Sequence, residues 1–315
     1  MPRIIYLDPK WGDNKYPYYF GTIKEVALLG FEIIHEVRSV KSVKELANGN
    51  LKIDDIIVFG LGWFGSEYFW SIEGLHELEN KKICFYHKPF NNQEEKDNFV
   101  RSSNIDILLS TTPGIKDIEL RTKTKTILFP YACNENVFGL NENPKKKYDV
   151  GFSGALHAAT HYKGVAFSSP DLRVRAQYKI DKYFGGKKFI NGSDKVWKRM
   201  RSDAKYARVL ASSKTWLSTT GPLHDMSSRY FEVSVSRTVP LTNNIPNDYK
   251  HIFRDEENII VFKEDCSNLL DKLSDAIEKG GLLDEMAGNL RNEILKNHTY
   301  KHRAKEFLEI MESIL

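Results

Sequence analysis

Three cysteines in 315 residues, Cys84, Cys133 and Cys266, are too few and too far apart for a disulfide scaffold or a metal-binding motif. Odd in number, they suit reduced thiols and point to a cytoplasmic protein. No apolar run approaches the roughly 20 residues of a membrane span. The first residues also lack the basic region and apolar stretch of a secretory signal. There is no internal repeat and no low-complexity segment, which argues against a repeat architecture. No acidic cluster has the character of a metal site, so no metal ligand and no tightly bound cofactor is expected. Strong charge of one sign is missing too, since 46 Lys and Arg against 42 Asp and Glu leave +4.

What is present is ordinary globular material, 41% apolar and 28% charged, in a chain about twice the length of a typical domain. Two domains are therefore the first expectation. Residues 1–147 hold 20 basic and 20 acidic side chains, so the positive excess lies in the second half. It concentrates between Lys163 and Arg208, where Arg173, Arg175 and Lys179 fall on one predicted helix. A diphosphate-bearing ligand accounts for some of these charges; nucleic acid is the competing partner, and solvated helix faces account for others.

In the first half, short apolar runs at 3–7, 31–37, 55–59, 82–86, 105–109 and 126–129 alternate with segments of helical spacing. That alternation predicts a Rossmann-like parallel sheet. The polar stretch from Asn141 to Lys147 reads as a linker. Alternation then resumes, with strands near 149–152, 187–190, 215–218, 239–242 and 259–262, helices over 267–279 and 282–297, and a last amphipathic helix over 300–314. The expected division is 1–143, 144–297 and a terminal 298–315.

The segment from Ser227 to Asn243 organises the second half. It reads as a polar loop, a short helix opened by Ser227 or Ser228, a turn at Ser236-Arg237 and a buried strand from Thr238. A helix N-terminus at a sheet edge is where open α/β folds bind anions. Arg229 there has a fork of donors for a phosphate, and Glu232 can accept from the two hydroxyls of a ribose. Ser153-Gly154, ending the first strand of this half, lets main-chain N–H groups approach phosphate oxygens, although a plain turn also fits. Gly60-Leu61-Gly62-Trp63-Phe64-Gly65 formally matches a dinucleotide fingerprint. It follows the third strand, however, and the next strand ends at Tyr86-His87-Lys88 without the acidic residue a ribose needs. A tight turn, or a loop approaching an acceptor sugar through Gly62, Trp63 and Glu67, fits better, with core packing for most of the neighbouring aromatics.

The Arg229 to Asn243 pattern of Arg, apolar residue, Phe-Glu, short helix and strand resembles the glycosyltransferases related to the spore-coat protein CgeB, within the two-domain GT-B group. Tyr148 to Gly154, Tyr206 to Gly221 and His298 to Ala304 are similar as well, and in the first half Ile127 to Phe138. The resemblance implies an α/β fold of GT-B architecture, two Rossmann-like domains with parallel sheets facing across a cleft and a final helix crossing back to the first domain. It implies a glycosyltransferase moving a sugar from a nucleotide-diphosphate sugar to an acceptor hydroxyl. On this reading Ser153, Gly154, Arg173, Arg175, His224, Arg229 and Glu232 bind the donor. Gly62, Trp63 and Glu67 lie on the acceptor side. An inverting transferase needs a base near the first-domain strand ends, where His87, Asp8, Asp13 and Glu67 are candidates, with His87 and Asp13 foremost. Many retaining relatives have a second glutamate where this chain has His224, so the stereochemical outcome stays open. A transferase acting on nucleic acid and a non-catalytic nucleotide- or sugar-binding protein are the alternatives.

Overall fold

The computed structural model describes residues 2–8, 20–36, 40–61, 71–90, 92–140, 143–154, 156, 161–162, 165–166, 168–193, 203–221 and 224–315. Two compact units emerge, 1–130 with 300–315, and 131–299. The expected boundary at 143/144 lies further along than the observed one, for a physical reason. Tyr131, Cys133 and Phe138 are buried in the core of the second unit, and Arg291 donates to the Gly139 carbonyl at 2.7 Å. The presumed basic linker is also tied down there, because Lys146 Nζ donates to the carbonyls of Ala211 (3.1 Å) and Ser213 (2.9 Å).

In the first unit, β1 (Ile4–Leu7), α1 (Phe20–Leu28), β2 (Ile33–Glu36), β3 (Ile56–Leu61), β4 (Lys82–Tyr86), α2 (Gln93–Ser102), β5 (Ile107–Ser110), α3 (Ile115–Thr122) and β6 (Lys125–Leu128) alternate. The strands form one parallel sheet in the order β2-β1-β3-β4-β5-β6. Side chains alternate across it with the period of two that strands impose. Ile4, Tyr6, Ile56, Val58, Ile83 and Phe85 face one layer, which α1 and the last helix, Tyr300–Glu312, cover with Ile23, Val26, Phe307 and Met311. Ile5, Leu7, Ile57, Phe59, Cys84 and Tyr86 face the other, under Phe99, Val100 and Ile118 of α2 and α3.

The second unit runs α4 (Glu135–Phe138), β7 (Tyr148–Gly154), a two-stranded hairpin of β8 (His161–Tyr162) and β9 (Val165–Ala166), α5 (Ser168–Lys188), β10 (Phe189–Ser193), α6 (Asp203–Ala211), β11 (Ser213–Leu217), α7 (Ser228–Val235), β12 (Val239–Thr242), β13 (Ile260–Val261), α8 (Leu269–Glu278) and α9 (Gly280–Asn297). Its sheet is parallel, in the order β10-β7-β11-β12-β13. Leu172, Ala176 and Ile180 of α5 and Leu269 and Leu273 of α8 pack with Val150, Phe152, Leu217 and Leu241. A second cluster joins Trp216 to Leu210 of α6, Tyr230 and Phe231 of α7, and Leu290 and Ile294 of α9. Strand order in each sheet reverses at one point, between β1 and β3 in the first unit and between β7 and β11 in the second. In open α/β sheets the carboxyl ends of the strands flanking such a point form the ligand crevice.

Candidate functional site

At the reversal point of the second unit, β7 ends in Ser153 and Gly154. Gly154 has φ 144°, a conformation that side chains oppose. The place where a Cβ would stand is 3.5 Å from Arg229 Nη1 and 3.7 Å from Arg173 Nη1. Two guanidinium groups, one from the first turn of α7 and one from α5, therefore meet at the end of one strand. Each is aimed by a neutral partner. Arg173 Nε donates to Thr219 Oγ1 at 3.1 Å. Arg229 Nε donates to the Tyr206 hydroxyl at 3.3 Å, and Ser153 Oγ donates to the same hydroxyl at 3.5 Å.

Burial opposes the Arg229 charge, but Tyr206 and Glu232 outweigh it and hold the guanidinium above its ordinary pKa. Burial also raises the Tyr206 phenol, helped by Glu232 and opposed by Arg229, so it stays a neutral partner. Arg229 has no direct ion pair among the described residues, and a like charge stands beside it at Gly154. This arrangement suits a dianion such as a diphosphate, which two forks of donors can grip.

Glu232 lies on the next turn of α7, half-buried, close enough for its charge to act on Arg229, Tyr206 and Cys133. The helix is fixed from within. Tyr230 hydrogen-bonds the Ser218 carbonyl and, at 2.7 Å, Thr242 Oγ1, tying α7 to the ends of β11 and β12. Arg291 of α9 donates to the Val235 carbonyl at its other end. Ser227 takes the N-cap position in an extended conformation, with no side-chain bond into the first turn. His224, with φ 58°, pairs Nδ1 with Asn244 Nδ2 at 2.8 Å in the loop beyond β11. A neutral imidazole accepting at Nδ1 carries its proton on Nε2.

The structure separates Arg173 from Arg175. Two residues on in α5, Arg175 is exposed and donates to the Glu264 carbonyl at 3.2 Å. It borders a shallow cavity of about 200 Å³ lined also by Leu172, Glu264 and Asp265. Lys179, one turn further, donates to the Cys266 carbonyl at 2.8 Å, so this face of α5 grips the loop after β13. Tyr206 and Thr219 were not singled out from sequence. Their signal was only position, Tyr206 opening a segment rich in family likeness and Thr219 following a predicted strand.

In the first unit Asp13, Gly62, Trp63 and Glu67 lie outside the described residues. His87 directly follows β4 and is 0% exposed. Burial, with the Lys88 and Lys96 cations, holds its imidazole well below the ordinary value. It is neutral at pH 7, and its carbonyl accepts from buried Lys96 Nζ at 2.6 Å. Its placement is that of an interior residue at the β4–α2 turn. Among the described residues no group of three or more His, Cys, Asp or Glu is placed to hold a metal ion. No helix among them is long and apolar enough to cross a membrane.

Residues 173–309 match the family model described as Glycosyl transferase-like. Comparison with curated proteins gives no match. Among solved structures, Anabaena HepE in complex with UDP-glucose is 11% identical, with 99% of this chain and 100% of that one covered and a TM-score of 0.64. Sucrose-phosphate synthase from Thermosynechococcus elongatus is also 11% identical, covering 100% and 99%, with a TM-score of 0.64. The pneumococcal O-GlcNAc transferase GtfA in complex with UDP and GlcNAc is 12% identical, with 84% of this chain and 58% of that one covered and a TM-score of 0.55. The fold is that of the GT-B glycosyltransferases, two α/β units each built on a parallel sheet.

Proposed function

We infer that the chain is a glycosyltransferase whose second unit binds a nucleotide-diphosphate sugar and whose reaction joins the sugar to an acceptor hydroxyl. The observation that carries this is the meeting at Gly154, at the reversal point of the sheet, of Arg173 and Arg229, two residues of the span that matches a glycosyl transferase-like family. The diphosphate lies against these two side chains and the main chain of Ser153 and Gly154, and Glu232 accepts from the ribose hydroxyls. His224 Nε2 donates to the donor sugar or its phosphates. As the acceptor oxygen bonds to the anomeric carbon, the bond from that carbon to the diphosphate breaks, and the two guanidinium groups hold the charge that develops on the leaving oxygen.

Arg175, outside this convergence, contributes from the rim. The acceptor side is in the first unit, where Gly62, Trp63 and Glu67 belong to this reading. The pattern from Arg229 to Asn243 favours the CgeB-related branch of the group. The reading takes the enzyme to be cytoplasmic and to work without a tightly bound metal, the arginines doing what a cation does elsewhere. Uridine is the first nucleotide to try, because HepE and GtfA were both solved with UDP or a UDP-sugar.

A thermal-shift screen of nucleotide-sugars, followed by release of nucleoside diphosphate from the best binder, tests the reading. Stabilisation by mass action of about 3 kcal/mol at a hundredfold excess over Kd, with turnover, is expected. No stabilisation by any nucleotide-sugar would contradict it, and binding without turnover would leave a sugar-nucleotide-binding protein instead.

A further inference from the structure

The first unit has its own reversal point, between β1 and β3, and a carboxyl group stands on it. Asp8 directly follows β1 and is only 7% exposed. Its carboxyl accepts from the Tyr6 hydroxyl through Oδ2 at 2.5 Å. Its backbone is held between neighbours, the amide donating to the Glu36 carbonyl at 3.3 Å and the carbonyl lying 3.2 Å from His35 Nε2. The His35 ring packs on the Tyr6 ring at 5.2 Å between centroids. Across the reversal point, Gly60 near the end of β3 leaves the space the pair needs. A Cβ there would stand 2.9 Å from Asp8 Cγ and 3.0 Å from both Asp8 Oδ2 and the Tyr6 hydroxyl oxygen. The first glycine of the Gly60–Gly65 run thus makes room for the Tyr6–Asp8 pair.

A carboxyl kept from water, fixed at one oxygen and placed where open α/β sheets bind ligands is costly for stability, and such costs are concentrated at functional sites. We propose that Asp8 is the base of the transfer reaction and Tyr6 its positioning residue, an assignment that rests on the functional reading above. The acceptor O–H gives its proton to Asp8 Oδ1 while the acceptor oxygen bonds to the anomeric carbon. The bond from that carbon to the diphosphate breaks, and its electron pair leaves with the nucleoside diphosphate. Water in the acceptor's place gives the free sugar by the same step.

The local electrostatics agree. Burial raises the Asp8 carboxyl to about 7, the Tyr6 hydrogen bond pulling the other way. A base is most effective with a pKa near the working pH. Among the described residues, the titratable ones in hydrogen-bond contact with Asp8 are Tyr6 on β1 and, through its backbone, His35 and Glu36 on β2; Gly60 on β3 brings none.

The experiment uses the full chain as wild type, Asp8→Asn and Tyr6→Phe. The probe is the nucleotide-sugar that stabilises wild type most, and hydrolysis is read as nucleoside diphosphate released from pH 5 to 9, with and without azide. Asp8→Asn should keep donor affinity within about twofold, lose roughly 10²- to 10⁴-fold in hydrolysis and lose the acid limb of the profile. Azide, already an anion, needs no base and should restore nucleoside diphosphate release in Asp8→Asn. In Tyr6→Phe the hydrogen bond that favours the carboxylate is gone, so the acid limb should move to higher pH. Hydrolysis by Asp8→Asn at the wild-type rate overturns the assignment alone. So does a slow variant that keeps the acid limb and ignores azide, because that is what a merely structural loss gives. Wild type that neither binds nor turns over any nucleotide-sugar overturns the functional reading, and the assignment with it.

Discussion

Single residues separate what is built for stability from what is built for chemistry. Asp8 is a cost to the fold. Its folded pKa, about 7, lies above the ordinary carboxylate value, so the stability it contributes is present below about pH 4 and is lost as pH rises toward 7. Asp8→Asn should therefore be more stable than wild type at pH 8, by on the order of 2–4 kcal/mol, with the difference vanishing near pH 4. Chemical denaturation at the two pH values checks this, and equal stabilities at pH 8 would mean the carboxyl ionises freely. Glu232 offers a sharper functional test. A carboxylate accepts from two ribose hydroxyls where an amide has one acceptor oxygen, so Glu232→Gln should weaken donor binding by about 1.5–4 kcal/mol. Wild type should discriminate against a 2′-deoxy donor and the variant much less; calorimetry with both donors reads the difference, and equal discrimination would place the ribose elsewhere.

At the scale of elements, the alternation of strand and helix was legible because buried parallel strands are short apolar runs that little else resembles. Ile4–Leu7 and Lys82–Tyr86 are examples, each buried along its whole length. The phase of a helix was harder to read. Arg173 and Arg175 are alike in sequence, yet two residues are about 200° of an α-helix, and only Arg173 reaches Gly154. Lys146 looked like part of a solvated charge run and is instead a donor to buried carbonyls. Nothing in the local pattern signals such a contact, since Ala211 and Ser213 are far along the chain. The α7 helix depends on its far end as well, where Arg291 donates to the carbonyls of Val235 and Gly139. Arg291→Ala should leave both carbonyls without that donor and cost about 2–4 kcal/mol in urea unfolding. A loss under about 0.5 kcal/mol would show that water replaces the guanidinium.

For the molecule as a whole, the number of units and the parallel sheets followed from length and periodicity. Strand order did not, because it depends on which strands pair far apart in the chain. That order decides the site. It brings Gly154, Thr219 and Tyr230 to one end of the second sheet, and Asp8 and Gly60 to one end of the first. Of the basic stretch that raised nucleic acid as a partner, three described residues are engaged within the unit, Arg173 turned to Gly154 and Arg175 and Lys179 donating to backbone carbonyls. Duplex DNA should accordingly bind weakly and be lost between about 50 and 200 mM salt, while donor binding persists.

On the proposed function, donor binding depends on the two guanidinium groups at Gly154. Calorimetric titration of wild type, Arg173→Ala, Arg229→Ala and Arg175→Ala with UDP, or with the nucleoside diphosphate of the preferred donor, measures their role directly. Loss of a charge-assisted hydrogen bond should raise Kd roughly 10- to 150-fold in Arg173→Ala and in Arg229→Ala, and by no more than about threefold in Arg175→Ala. Unchanged affinity in both of the first two variants, with the fold intact, would contradict the assignment of the donor site to the end of β7.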